Sequence, residues 1–306
     1  MKGNWDDVRL FLSVARARTL TRAGADARLD PATLGRRVAR LEQDLGTALF
    51  VKSPQGYALT PAGQDLMDRA LEAEAAMRAA TEGIVSDPGE GLMGQVRIGA
   101  PDGCANYLLP QICAALTAEH PRLELQIVAL PRVFNLSQRE ADMAIAVSAP
   151  TAGRLTVQRI TDYQLHFAAA DSYLRQAPPL RVLDDLKAHR IVGYVQDMIF
   201  DKELDYLAGA GVRRVALASN SVAVQLNMLR QGGGVGVVHD FALPAAPGLR
   251  PVLQNAMSLR RSFYLIRHAA DRDQPVLNRI AAELTTRMRA EVAALEAQVA
   301  HPRPPA

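Results

Sequence analysis

The stretch "DPATLGRRVARLEQDLG", residues 30–46, constrains this chain more than any other. Asp30 can accept hydrogen bonds from the first free N–H groups of a helix, and Pro31 at the first helical position loses nothing by lacking its own. Leu34, Val38, Leu41 and Leu45 recur at helical spacing and form one inward face. Gly46 suits the residue that ends a helix. Arg36, Arg37 and Arg40 crowd the rest of the surface. Such a cluster either stands in solvent or is pressed against phosphates and base edges.

The neighbouring segments narrow the choice. Asn4 can cap a first helix with Asp6 and Asp7 in its first turn, where the helix dipole favours acid, and Val8, Phe11, Leu12 and Ala15 mark its apolar face. "TRAGADARL" reads as a second, short helix capped by Thr21. After the arginine-bearing helix, "ALFVKSPQGYALT" places two short apolar runs around the turn signal "SPQG", which predicts a hairpin. Three helices and a hairpin in this order form a winged helix-turn-helix over residues 1–60.

Thr60-Pro61 opens a long fourth helix, expected over residues 61–88, by the same cap-then-proline logic. Leu66, Ala70, Ala73, Met77, Ala80 and Ile84 form a heptad seam of mostly small side chains. The seam suits a helix from a second chain; packing on the chain's own body is the alternative. Charge follows the same division. Residues 1–60 hold ten Lys/Arg against six Asp/Glu, a balance of +4, and residues 61–89 hold two against six, a balance of −4. "SDPGEGLMG" then breaks the helix and reads as a linker.

From residue 94 the rhythm changes. "QVRIGA" reads as a strand, "YLLPQICAALTAEHP" as a helix, and "LELQIVAL" and "ADMAIAV" as further strands. Alternating strands and helices predict an α/β region with a largely parallel sheet. "YQLHFAAA" and "SFYLIRHAA", about a hundred residues apart, are placed to carry the chain to a second lobe and back. That gives lobe I about residues 94–162 and 267–300, and lobe II about 163–266. The tail "HPRPPA" reads as disordered.

The N-terminal third resembles the LysR-type transcriptional regulators. Leu34, Arg36, Val38, Leu41, Glu42, Leu45 and Gly46 match that family's recognition-helix pattern, with Asp30 in place of its capping Ser. Leu49, Phe50, Lys52, Leu59, Thr60 and Gly63 match its wing motif. Gly35 stands where the family usually has Ser, and Ala27 where it has a core Leu. Later, "READMAIAV" resembles a strand entry of the family's effector domain through Asp142, Ala144 and Ile145, with Arg139 in place of a Gly. "LNMLRQGGGVGVVHD" resembles its helix, glycine turn and strand. The resemblance implies an α+β multidomain protein: an N-terminal winged helix-turn-helix, a long linker helix and a C-terminal two-lobed α/β effector domain like the periplasmic binding proteins. It also implies a homodimer through the linker helix, or a homotetramer, bound to double-stranded promoter DNA and to a small-molecule effector.

In a helix-turn-helix the N-terminal end of the reading helix reaches base edges. Pro31, Ala32, Thr33, Arg36 and Arg37 fall there. Ala32 and Thr33 offer methyl groups to thymine, Arg36 or Arg37 a bidentate pair to guanine, and Arg40 a contact to phosphate. Thr21 and Arg22 start the second helix, where free N–H groups favour a phosphate. Lys52, Ser53 and Gln55 lie near the hairpin tip, against DNA backbone or minor groove. Glu42 reads as a structural partner for a basic side chain.

Effectors in open α/β lobes bind outside the carboxyl ends of strands. Asp102, Gly103, Cys104 and Asn106 follow one strand, Arg132 and Asn135 another, and Tyr194, Asp197, Asn220 and Ser221 come from the second lobe. Arg132 hints at an anionic effector. Cys104 and Cys113 form no disulfide framework; Cys104 near the cleft raises a redox-sensor reading, against which stands an ordinary cleft or buried thiol. "QGGGVGVV" has a helix before it and a strand after it, the reverse of a phosphate loop. The six His show no metal-ligand spacing, and His239-Asp240 closes a strand. No catalytic constellation, metal or cofactor is expected. No run approaches the roughly 20 apolar residues that span a bilayer, and the N-terminus reads as no signal peptide, so the cytoplasm is the expected compartment. Two other classes stay in view: a small-molecule-binding protein whose first domain serves only assembly, and an α/β enzyme using the cleft.

Overall fold

The structure, a computed structural model, describes residues 4–53, 56–85, 91–129, 141–150, 154–212 and 214–300. The chain divides into two compact units, one built on residues 1–90 and the other on residues 91–267 and the C-terminal helix.

The first unit holds α1 (Trp5–Ala17), α2 (Leu20–Ala27), α3 (Pro31–Leu45), the hairpin β1 (Phe50–Ser53) and β2 (Gly56–Leu59), and α4 (Pro61–Val85). The predicted caps hold for α1 and α3: the Asn4 side chain accepts from the Asp6 N–H, and Asp30 Oδ1 accepts from the Ala32 and Thr33 N–H groups at 2.9 and 3.2 Å. Helix α2 begins two residues earlier than the expected cap at Thr21 implies. Thr19, in extended backbone, caps it by accepting from the Arg22 N–H, so Thr21 lies within its first turn. Leu34, Val38 and Leu41 are buried with Phe11, Leu12, Leu49, Met67 and Leu71, whereas Leu45 is 39% exposed. Leu45 is the last residue of α3, where the helix has run past the core.

The wing is antiparallel, Phe50 opposite Leu59 and Lys52 opposite Tyr57. Gly63 explains the small residue after "LTPA": a Cβ there would sit 2.1 Å from the Leu49 carbonyl oxygen. The Thr60 hydroxyl donates to the Ala48 carbonyl and accepts from the Gly63 N–H, so one side chain both starts α4 and ties it to the wing entry. Along α4, Met67, Ala70 and Leu71 are buried in this unit's core, Leu66 is half-buried, and Ala73 and Met77 are exposed. The side chains of Ala80 and Ile84 lie outside the described residues.

The second unit contains β3 (Met93–Ala100), α5 (Asp102–Tyr107), α6 (Leu109–Glu119), β4 (Arg122–Ala129), β5 (Met143–Ala146), β6 (Leu155–Ala170), α7 (Asp171–Leu174), β7 (Ile191–Gly193), β8 (Leu217–Ala218), α8 (Val222–Arg230), β9 (Val235–His239), β10 (Leu249–Val252), β11 (Leu259–His268) and α9 (Pro275–Ala300). The helix expected over residues 107–121 is interrupted at Leu108, which adopts φ −120° just before Leu109-Pro110. Pro110 has no N–H to donate to the Asn106 carbonyl and its ring crowds that carbonyl, so one continuous helix cannot pass through it, and Pro110 sits instead in the first turn of α6. Helix α9 had no counterpart in the sequence reading. Its stripe Leu277, Ile280, Ala281, Leu284, Met288 and Val292 enters the main core.

Among the described residues nine strands form one sheet in the order β4-β3-β5-β11-β6-β9-β7-β8, with β10 beside β6. The largely parallel sheet expected from alternation is instead mixed. β3 runs parallel to β4 and β5, and β7 parallel to β8 and β9, but β11 is antiparallel to β5 and β6 antiparallel to β9 and β10. The two strands expected to link the lobes supply the antiparallel pairs. β6 is a single strand of 16 residues, twice the segment read from the sequence. Among the described residues no helix is long and apolar enough to cross a membrane.

Candidate nucleic-acid interface and effector cleft

With Leu34, Val38 and Leu41 sealed inside, α3 turns Ala32, Arg36 and Arg40 to the surface. The three arginines differ in engagement. Arg36 donates to the Thr33 hydroxyl at 3.1 Å, one turn back on an exposed face. Arg37 donates through Nε to the carboxylate of Asp7, which is buried at 1% exposure on α1. Arg40 is exposed further along the helix. Thr21 and Arg22 are exposed at the start of α2. Lys52 is exposed on β1, its ammonium 5.8 Å from the Tyr57 ring centroid. Ser53 ends β1, and Gln55 lies outside the described residues. Glu42 is structural as expected, but its partners are backbone: Oε1 accepts from the Leu49 and Phe50 N–H groups at 2.7 and 3.1 Å.

The second site lies between the two halves of the large sheet. Asp102 opens α5 at the end of β3, and Ser221 caps α8 by accepting from the Val224 N–H. The two ends meet. Asp102 Oδ2 accepts from the Ser221 hydroxyl and the Ala223 N–H, both at 3.0 Å, so its carboxylate sits at the positive end of α8. Behind it is a cavity of about 20 Å³, lined among others by Asp102, Gly103, Cys104, Tyr194 and Asn220. Asn106 is exposed and turns back to the Asp102 carbonyl and carboxylate; Asp197 is exposed on the turn Gln196–Met198 and does not line the cavity. Arg132 and Asn135 lie outside the described residues.

Sequence reasoning missed three buried residues that line this cleft: Tyr163, Tyr206 and His239. Tyr163 comes from the middle of β6, and its ring stacks on Phe263 at 4.2 Å. His239 ends β9 and shares a 3.3 Å hydrogen bond with the Tyr206 hydroxyl through Nε2. Burial holds its imidazole neutral, pulling the pKa down to about 3. Burial likewise pushes all three phenols, Tyr163, Tyr194 and Tyr206, above the usual tyrosine range. His239 and Asp240 part company as adjacent strand-end residues do, and Asp240 pairs with His166 at 2.9 Å. The one legible signal was a His at the carboxyl end of a strand. Cys104 is fully buried with its thiol pushed up, and burial pushes Cys113 up to about 11, so neither is poised as a thiolate.

Two family models match the chain. The bacterial regulatory helix-turn-helix protein of the lysR family matches residues 5–64, and the LysR substrate binding domain matches residues 89–289. The chain belongs to the LysR family. This LysR-type protein is therefore a transcriptional regulator rather than an enzyme, with a DNA-binding helix-turn-helix and an effector-binding domain. It is similar to the HTH-type transcriptional regulator DgdR of Burkholderia cepacia, 28% identical over 245 residues that cover 78% of this chain and 79% of DgdR. It is also similar to the Mau operon transcriptional activator of Paracoccus denitrificans, 25% identical over 283 residues, 90% of this chain and 94% of that protein. In fold, this LysR-type chain resembles a full-length OxyR variant from Pseudomonas aeruginosa, with a TM-score of 0.72 at 19% identity over 94% of this chain and 95% of that one.

Proposed function

We propose that α3 enters the major groove of promoter DNA with Pro31, Ala32 and Thr33 at its reading end. Arg36 reads guanine, and Arg40 meets phosphate. Thr21 and Arg22, with Lys52, Ser53 and Gln55 of the wing, hold the DNA backbone. Arg37 serves the interface by holding α3 in place. The observation that carries this reading is the division of labour on α3: one face is sealed in the core, one arginine is tied to buried Asp7, and Arg36 and Arg40 are left outward.

The functional division follows residues 1–60 for DNA, 61–88 for assembly and 94–300 for the effector. Helix α4 dimerises through the seam that includes exposed Ala73, and dimers pair into tetramers in the cytoplasm. A small molecule binds between the lobes at Asp102, Gly103, Cys104, Tyr194, Asn220 and Ser221, with Asn106, Asp197, Arg132 and Asn135 about the mouth. It shifts the population of arrangements on two half-sites, which requires different affinity for each arrangement.

Fluorescence anisotropy with DNA from upstream of the protein's own gene tests this, beside a scrambled duplex and the Arg36→Ala variant at two salt concentrations. Tight, salt-dependent binding to the upstream duplex, lost in the variant, is the expected result. No preference for any natural duplex, with Arg36→Ala indistinguishable from the parent, overturns the assignment of α3.

A further inference from the structure

Two residues lining the interlobe cavity carry a buried polar atom outside hydrogen-bond geometry: the Tyr163 hydroxyl, beside that of Tyr206, and His239 Nδ1, in side chains 1% and 4% exposed. A buried polar group left unpaired has lost its water without regaining a hydrogen bond, so both atoms have a standing demand for a partner. The wall beside them is aromatic and apolar: Tyr194, Phe200, Phe263, Val147 and Val222. Gly103 keeps the space over the imidazole open, because a Cβ at that position would lie 3.3 Å from His239 Cε1 and 3.6 Å from Nδ1.

Charge at the mouth sets the second half of the specification. A helix N-terminus is the natural seat for an anion, but that of α8 already holds the Asp102 carboxylate. An entering anion would meet a like charge where it would otherwise be drawn. An entering cation would find both oxygens of Asp102 engaged, Oδ2 by Ser221 and Ala223 and Oδ1 by Asn106 at 3.2 Å. The two orphan atoms belong to an imidazole and a phenol, both uncharged, so neither supplies a countercharge to an ion brought into the chamber.

We propose that this chamber selects a small uncharged molecule, with a planar apolar body against the aromatic wall and a hydrogen-bonding edge toward His239 and Tyr163. The proposal rests on the reading of the cleft as the effector site and adds the chemical class of the effector. At about 20 Å³ the cavity holds roughly one water, so such a ligand enters as the lobes part. Asp102 belongs to one lobe and Ser221 to the other, so admission of the ligand and release of the Asp102 carboxylate are linked events.

Isothermal titration of the full-length protein with benzamide, benzoate and benzylammonium decides the matter, since the three share a ring and differ in charge. Benzamide should bind at least about tenfold more tightly than either ion, and Tyr163→Phe should weaken it about five- to tenfold. Asp102→Asn should bring benzoate to within about threefold of benzamide. Benzoate binding best in the parent, and weakening in Tyr163→Phe, would keep the cleft as the ligand site and overturn its preference for neutral molecules. Heat from none of the three, or benzamide binding that Tyr163→Phe leaves unmoved, would overturn the chamber and the cleft reading together. Should Asp102→Asn fail to fold, the Tyr163→Phe comparison decides alone.

Discussion

Arg37 on α3 is tied to Asp7 on α1, and Asp7 is almost wholly buried. A buried carboxylate without a cation is costly, so the pair matters mainly when half of it is removed. Arg37→Ala should lower unfolding stability by about 1–3 kcal/mol, less than for a fully buried pair because the arginine side chain is 34% exposed. Arg36→Ala should leave stability within about 0.5 kcal/mol of the parent. Urea unfolding of both variants, with Asp7→Ala and the double variant to complete a cycle, measures the difference. Equal stability of Arg37→Ala and Arg36→Ala would deny Asp7 its role.

The two outward arginines should separate by kind of loss. Arg36→Ala should cost about 1–3 kcal/mol on the preferred operator and relax discrimination at a single base pair. Arg40→Ala should weaken binding alike for all duplexes and reduce the slope of affinity against salt by about one. Anisotropy titrations across a salt series, on an operator and its single-base variants, read both effects.

Glu42 joins α3 to the hairpin by accepting from two backbone N–H groups. Glu42→Ala leaves those donors unsatisfied and should cost about 1–3 kcal/mol. Hydrogen exchange should show faster exchange at Leu49 and Phe50. Unchanged protection at both amides would show that these bonds contribute nothing.

His239 predicts a pH dependence. Its folded pKa of about 3 lies below the ordinary value of 6.5, so the unfolded chain binds the proton more readily. The stability that its neutral form allows is complete above pH 6.5 and is lost as pH falls toward 3. Between pH 7 and pH 5 the loss from this residue should be roughly 2 kcal/mol. In His239→Gln that share of the acid sensitivity should vanish. Thermal melts of parent and variant over pH 5–7 compare the slopes, and parallel slopes would refute it.

Local chemistry made the N-terminal unit readable. Asp30, Pro31 and Gly46 punctuate a helix within one short stretch, and Leu34, Val38 and Leu41 give its inner face, so pattern and packing agree there. Thr19 was missed because two threonines stand two residues apart, and only backbone geometry chooses the cap. In the second unit β3, β4 and β5 were legible as apolar runs. The full length of β6 was not, because its first half carries Thr156, Gln158, Arg159 and Asp162, polar and partly solvated residues that break the apolar run. The entrance of the cleft was legible because it follows from strand ends. Its floor was not: Tyr163, Tyr206 and His239 come from three distant segments, and only the sheet order brings them together.

Strand β6 runs unbroken through both halves of the effector region, pairing with β9 and β10 at its far end and lying beside β11. Neither half therefore possesses a sheet of its own. A hybrid regulator assembled by exchanging one half for a relative's would have to splice within a strand and match its register to two foreign neighbours. The effector region is transplantable whole or not at all, and a natural seam for such grafts lies ahead of β3.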